Sequence, residues 1–230
     1  MKHALSPAQL EAIRLLGTCA VSNAIESFGV RLRNEGFADS SVRSLFPDLA
    51  PMLGYAVTGR IRCSSPPPVE HNYHDRTDWW NYLVTLPAPR VLVIQDIDPR
   101  PGFGAFIGEI HALIQQALGS VGVVTNGTAR DLPAVEAAGF QMFAGGVAVS
   151  HAYAHMVEFG KPVEVGGLRI APGDLIFGDR HGVLTVPKEI AAEIPARAAT
   201  ISQSERKVID LCKSRSFSLE KLRKVIRDLE

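Results

Sequence analysis

The stretch RVLVIQDIDPRPGFGAFIGEIHALIQQALGSVGVVTNG, residues 90–127, decides the fold. Its opening RVLVIQDID (90–98) is a short apolar run bounded by Pro89 and Pro99, the pattern of a buried strand. GEIHALIQQALG (108–119) then carries apolar residues at helical spacing and ends on glycine. VGVVTNG (121–127) is apolar again and turns on Asn126-Gly127. Strand, loop, helix and strand make a βαβ crossover, which lays two parallel strands side by side with their carboxyl ends on one edge. Open α/β sheets assemble ligand sites on that edge.

Toward the amino end, Ser6-Pro7 before AQLEAIRLL reads as an N-cap, a proline in the first helical turn and an apolar stripe at Leu10, Ile13 and Leu15 or Leu16. A second short helix in VSNAIESFGV ends at Gly29. Residues 31–50 read as irregular, with room for one short helix. GYAVTGRIRC alternates as a strand does. SSPPPVEHNYHDRTDWWNYL (64–83) begins with consecutive prolines and is expected to be a loop whose aromatic residues pack onto the body.

Toward the carboxyl end, the segment from Asp131 to Gly139 predicts a short helix, with Pro133 near its start, followed by the strand FQMFAGG. In PVEVGGLRIAPGDLIFGDRHGVLTVP, turns at Gly166-Gly167, Pro172-Gly173 and Arg180 to Gly182 separate short strands. From Lys188 onward the residues are helix formers. SLEKLRKVIRDLE carries an apolar stripe at Leu219, Leu222, Val225, Ile226 and Leu229 that needs a burial partner, for which another subunit is expected. The expected division is one domain over 1–205, including the N-terminal helices, and a helical C-terminal extension over 206–230.

Composition narrows the function classes. Lys+Arg and Asp+Glu both number 24, so no net positive field gathers nucleic acid or an anionic membrane. Cys19, Cys63 and Cys212 stand far apart without CxxC spacing, against a disulfide framework or zinc cluster and in favour of a reducing, cytoplasmic setting. No 18-residue apolar run occurs.

Chemistry is expected where the crossover ends. Gly108-Glu109 opens a helix whose first-turn N–H groups suit a carboxylate. Arg130 and Asp131 arrive on the same edge, one a fixed fork for a carboxylate or enolate, the other a hard oxygen for a divalent cation. The structural alternative is an Asp131 that caps its own helix beside an exposed Arg130.

Glu109, twenty intervening residues and then Arg130-Asp131, together with GVVTNGTARD, APRVLVIQDID and PVEVGGLRIAPGDLIFGDRHGVLTVP, resemble the RraA-like family, which includes 4-hydroxy-4-methyl-2-oxoglutarate aldolases. The resemblance covers about residues 10–205. It implies an α/β fold of three layers, a β/β/α swivelling-type domain, assembled as homotrimers or hexamers with active sites between subunits. It also implies a metal-dependent lyase that cleaves a 4-hydroxy-2-oxo acid to pyruvate, with oxaloacetate decarboxylation as a further activity. Carried over, the backbone at Gly108, Glu109, Ile110 and His111 holds the substrate carboxylate, Arg130 contacts the same keto acid, and Asp131 ligates Mg²⁺ or Mn²⁺. Glu109 acts through metal-bound water, and Glu205 is the expected acidic residue from a neighbouring subunit. The family's aldolases usually have aspartate where this chain has Glu109, one methylene longer. The alternative the resemblance carries is a non-catalytic regulator that binds a ribonuclease.

The remaining polar residues have plainer readings. His151 and His155 could share a helical face but lack a zincin glutamate pattern, and GGVAVSHAY departs in spacing from a phosphohistidine signature. His71, His74, Trp79 and Trp80 could line a pocket or simply anchor the long loop, and Asp174 and Asp179 are expected to satisfy turn backbone. No glycine-rich nucleoside loop follows the first strand, which sets a methyltransferase aside.

Overall fold

In the computed structural model, residues 4–67 and 76–229 are described. The chain starts as its capping signals dictate. The Ser6 hydroxyl accepts the Gln9 amide while the Gln9 side chain returns to the Ser6 amide, and helix α1 (Pro7–Arg14) follows. Helix α2 (Thr18–Phe28) stops at Gly29, which takes the left-handed conformation (φ 64°) that glycine enters without strain. No helix forms within residues 31–50; the segment carries only strand β1 (Arg43–Ser44). The amides of Ala38 and Asp39 bond instead to the carbonyls of Val183 and Gly166, and these long-range partners replace a local ladder.

Strand β2 (Met52–Arg62) precedes helix α3 (Arg76–Val84), which corrects the expectation of a loop through residue 83. Trp79 and Leu83, four positions apart, are 3% and 0% exposed, so a one-sided aromatic and aliphatic face pays for the helix. His71 and His74 lie outside the described residues.

Then come β3 (Arg90–Asp96), β4 (Ala105–Ile107), α4 (Glu109–Ala117), β5 (Ser120–Thr125), β6 (Thr128–Ala129), α5 (Leu132–Ala137), β7 (Gln141–Ala144) and β8 (Gly146–Val147). Strand β9 (His155–Phe159), the hairpin β10 (Val163–Val165) and β11 (Leu168–Ile170), and the pair β12 (Leu175–Asp179) and β13 (Gly182–Val186) complete the β structure. A 3₁₀ turn (Ala191–Glu193) leads into α6 (Ile194–Lys213) and α7 (Leu219–Arg227); α6 runs unbroken through residues 205 and 206.

The main sheet has the order β1-β7-β5-β3-β2-β12-β13, with β9 also on β2. β2, β3, β5 and β7 are mutually parallel, as the crossover predicts, and the flanking strands are antiparallel. Side chains leave its two faces alternately. Val57, Leu92, Ile94, Val123 and Met142 meet α3, α4 and α5 through residues such as Leu83, Ala112 and Val135. Leu53, Tyr55, Leu175 and Phe177 meet α1, α2 and α6. From the opposite face Ala56, Val91, Val93, Val124 and Phe143 pack on Val163, Val165, Leu168 and Ile170 of the hairpin. Hairpin, sheet and helices are the three layers of a β/β/α fold, and burial on both faces explains why the parallel strands read as unbroken apolar runs.

A simple βαβ unit omits one element. β3, β5 and β7, after their carboxyl ends, run on into the short strands of a second, parallel sheet of order β4-β6-β8, and after β4 and β6 the next helix begins. Asn126, in the link from β5 to β6, is tied to the end of β3: its Oδ1 accepts the Asp96 amide at 2.7 Å and its Nδ2 donates to the Asp96 carbonyl at 2.9 Å. α4 and α5 therefore start from the second sheet, one layer beyond the main sheet's edge.

The tail lies outside this core. α7 contributes no buried residue; Leu219 and Ile226 are 57% and 41% exposed, so its apolar stripe finds no full partner among the described residues.

Candidate active site

The path from β6 into α5 places the two residues that the sequence singles out. The Arg130 amide donates to the Ile107 carbonyl at 3.1 Å, extending the pairing of β6 with β4 and bringing Arg130 to the start of α4. Asp131 then turns in the left-handed region (φ 57°, ψ 35°), a conformation few non-glycine residues enter. Its side chain makes no capping bond to its own helix, which overturns the structural alternative of a self-capping aspartate. Instead Oδ2 accepts the Glu109 amide at 3.2 Å, one of the unpaired N–H groups at the start of α4. Arg130 Nε sits 3.3 Å from Oδ1 and 3.2 Å from Oδ2 of the same carboxylate. Among the described residues no hydrogen bond uses the two terminal guanidinium nitrogens.

Gly108 makes this approach feasible. A Cβ there would collide with Asp131 Oδ2 and lie 3.0 Å from Arg130 Cγ, whereas its φ of −139° suits any residue. The glycine is demanded by space. The Glu109 amide bond holds the Asp131 carboxyl below the usual carboxylate range; burial opposes it, and the Arg130 hydrogen bond and charge reinforce it. Asp131 is therefore an anion at neutral pH.

A cleft of about 390 Å³ opens over these residues. Gly108, Ile110, His111, Arg130 and Asp131 border it on one side, Phe106 and residues 151–155 elsewhere. Glu109 does not border it: its side chain is exposed at the first position of α4. Glu205 is also exposed, on α6, and is not among the residues of its own chain that line the cleft.

Sequence reasoning missed the opposite wall. Residues 150–154 form no helix, correcting the shared helical face considered for His151 and His155; His151 sits in a turn and His155 opens β9. The turn is held at several points. The Ser150 carbonyl accepts the Ala105 amide, the Ser150 hydroxyl accepts the Ala152 amide, and the Tyr153 amide donates to the Cys63 carbonyl. Ala152 is left-handed, with φ 47°. Each cleft histidine has Nδ1 against a backbone carbonyl: His111 on Phe106 at 2.6 Å, His151 on Ala152 at 2.9 Å and His155 on Tyr153 at 2.7 Å.

Beneath that wall, Cys63, Asp96 and Asp98 are buried with ligand atoms within 4.8 Å of one another, a spacing that could hold a metal ion. Their bonds favour a structural knot. Asp96 accepts the Asp98 and Gly102 amides, and Asp98 accepts the Cys63 and Ser64 amides and the Ser64 hydroxyl. Burial and the two carboxylates push the Cys63 thiol up to about 12, so it stays protonated and is a poor ligand. The knot fixes residue 63 and the loop into β4, and thereby the wall of the cleft. The two turn aspartates act as read: Asp174 accepts the Ala171 amide, and Asp179 accepts the amide and hydroxyl of Thr18 and the His181 amide. Asp179 does more than close its turn, because Thr18 begins α2.

A family model described as RraA-like, Aldolase/RraA, matches residues 18–185. An uncharacterized protein of Methanocaldococcus jannaschii, MJ0644, is 32% identical over 142 residues, covering 57% of this chain and 64% of that protein. A protein of Halalkalibacterium halodurans named "Putative 4-hydroxy-4-methyl-2-oxoglutarate aldolase" is 34% identical over 85 residues, 36% of this chain and 40% of that one. The chain thus spans less than two thirds of either relative. The crystal structure of an uncharacterized protein from Pseudomonas syringae pv. tomato superposes with a TM-score of 0.75 at 26% identity, covering 97% of this chain and 96% of the other. Streptomyces coelicolor RraAS2, described as an unusual member of the RNase ES inhibitor RraA family, gives 0.68 at 22% identity over 90% and 98% of the two chains and shares the fold. No helix among the described residues is long and apolar enough to cross a membrane.

Proposed function

Because the chain belongs to the RraA-like, Aldolase/RraA family, we propose that it is a divalent-metal-dependent carbon–carbon lyase that cleaves a 4-hydroxy-2-oxo acid to pyruvate and a second carbonyl compound, and that it decarboxylates oxaloacetate. The observation that carries this is the convergence of the Asp131 carboxylate, the Arg130 guanidinium and the first turn of α4 on one cleft. The name of the H. halodurans relative points to the same substrate class.

Asp131 fits a hard cation. It is half-exposed, anionic and, among the described residues, engaged only by bonds of 3.2–3.3 Å, so its oxygens keep lone pairs for one ligand position. Mg²⁺ and Mn²⁺ need little more from the protein, since carboxylate, water and a chelating 2-oxo acid complete such a shell. When bound, the cation would supply Lewis-acid stabilisation of the charge that collects on the keto oxygen. The chain's own groups supply the rest. On this reading the amides of Ile110 and His111, in the first turn of α4, hold the substrate carboxylate, the expected Glu109 amide being taken by Asp131, and Arg130 meets the keto acid and favours its enolate. Glu109, outside the cleft wall, and Glu205, contributed by a neighbouring subunit, are the proposed acidic partners in proton handling.

The test is pyruvate release from a panel of 4-hydroxy-2-oxo acids and from oxaloacetate, with Mg²⁺ or Mn²⁺ and with a chelator. Expected are metal-dependent release by the wild type and its loss in Asp131→Ala and Arg130→Ala. Release from no substrate, or equal release by both variants, overturns the reading.

A further inference from the structure

Among the described residues, two non-glycine residues have positive φ, Asp131 and Ala152, and both border the same cleft. A left-handed alanine costs about 1 kcal/mol, and such strain persists only where surrounding bonds over-determine it. Here they do. The Ser150 hydroxyl takes the Ala152 amide at 3.0 Å, the Ser150 carbonyl takes the Ala105 amide at 3.0 Å, and the Ala154 amide closes on the His151 carbonyl at 2.9 Å. Gly104 is glycine for the same reason: a Cβ would stand 2.6 Å from the His151 carbonyl oxygen. What all this holds in place is the side chain of His151, exposed on the cleft wall.

The ring's chemistry follows from its one hydrogen-bond partner among the described residues. The Ala152 carbonyl oxygen can only accept, so Nδ1 carries the proton and Nε2 the lone pair of the neutral imidazole. The other cleft histidines among the described residues are placed differently: His155 is 6% exposed, and His111 stacks on Phe106 with centroids 5.2 Å apart. The carboxylate expected to handle protons, Glu109, does not border the cleft.

We propose that His151 is a further catalytic residue of the lyase reading given above, the general base for the substrate's 4-hydroxyl. Nε2 takes the hydroxyl proton, the O–H electrons become the second bond of a new C4 carbonyl, and the C3–C4 bond breaks. Its electrons form the C2–C3 double bond of the pyruvate enolate, with negative charge on the C2 oxygen. Water then protonates C3, and the imidazolium returns its proton to solvent. The proposal deepens that reading and rests on it.

Oxaloacetate separates the two. It has no 4-hydroxyl, and its C4 carboxylate leaves as CO₂ without a base, while the same enolate forms. The experiment compares kcat for aldol cleavage and for oxaloacetate decarboxylation in the Mg²⁺-loaded wild type, His151→Gln, His151→Ala and Tyr153→Phe, with thermal melts confirming the fold. Expected is a loss of about 100-fold or more in cleavage for both His151 variants, the usual scale of general-base catalysis, with decarboxylation held within about 3-fold and Tyr153→Phe close to wild type. Cleavage unchanged, both reactions falling together, or the selective loss appearing in Tyr153→Phe overturns the role of His151 and leaves the lyase standing. A wild type that decarboxylates but cleaves no 4-hydroxy acid also overturns it. A wild type active on neither substrate removes the lyase reading itself.

Discussion

The Asp131 carboxylate is hydrogen-bonded to the Glu109 amide at 3.2 Å, across 22 positions of sequence, and makes no capping bond to the helix it begins. One aspartate thus closes the open end of the preceding helix, pairs with Arg130 and stays anionic at the mouth of a cleft.

Gly108→Ala tests that packing. The added methyl would meet Asp131 Oδ2 and Arg130 Cγ at a φ that alanine tolerates, so the damage is local. We expect a melting temperature within about 4 °C of wild type, the shift for about 1 kcal/mol in a chain of this size. Mg²⁺ affinity by calorimetry should fall at least about 10-fold.

Ala152→Gly reverses a familiar penalty. Glycine for alanine normally costs about 0.5–1 kcal/mol of chain entropy, but at φ 47° the strain relieved is of similar or larger size. Differential scanning calorimetry should find the midpoint unchanged or raised by about 2–4 °C.

Asp179 governs acid stability. Burial raises its pKa, but the Thr18 hydroxyl and amide, the His181 amide and the His181 charge more than compensate, leaving it below the usual carboxylate range. A carboxyl depressed by folding contributes stability that is complete above its unfolded pKa, about 3.9, and is lost as pH falls through the lower folded value. Urea midpoints should therefore decline below about pH 4, with a shallower decline in Asp179→Asn. Asp179→Ala, which strands two donors at the start of α2 and the His181 amide in the turn after β12, should cost about 2–4 kcal/mol at pH 7.

The tail predicts an assembly. With Leu219 and Ile226 exposed and no residue of α7 buried, Leu219→Glu with Ile226→Glu should leave the far-ultraviolet circular dichroism and melting of the body unchanged. If neighbouring copies cover the stripe, light scattering will show a lower mass for the double variant. An unchanged mass would remove α7 from the subunit interface.

Much of the architecture was legible in the residues because it rests on short-range physics. The buried strands at 90–98 and 121–127, the helix between them, the Ser6 cap, the Gly29 stop and the hairpin glycines each follow from neighbours within a turn or a pleat. Arg130 and Asp131 could be placed on the same edge as the start of the 108 helix because parallel strands share their carboxyl ends. Other features rest on partners far along the chain, which periodicity does not record. The second sheet pairs strands of two or three residues, too short for a pattern. Residues 150–154 turn where their sequence allows a helix, since Ala105 and Cys63 claim their backbone groups. The Asp131 carboxylate serves the amide at 109 because Gly108 leaves the space, a choice made by packing across helices.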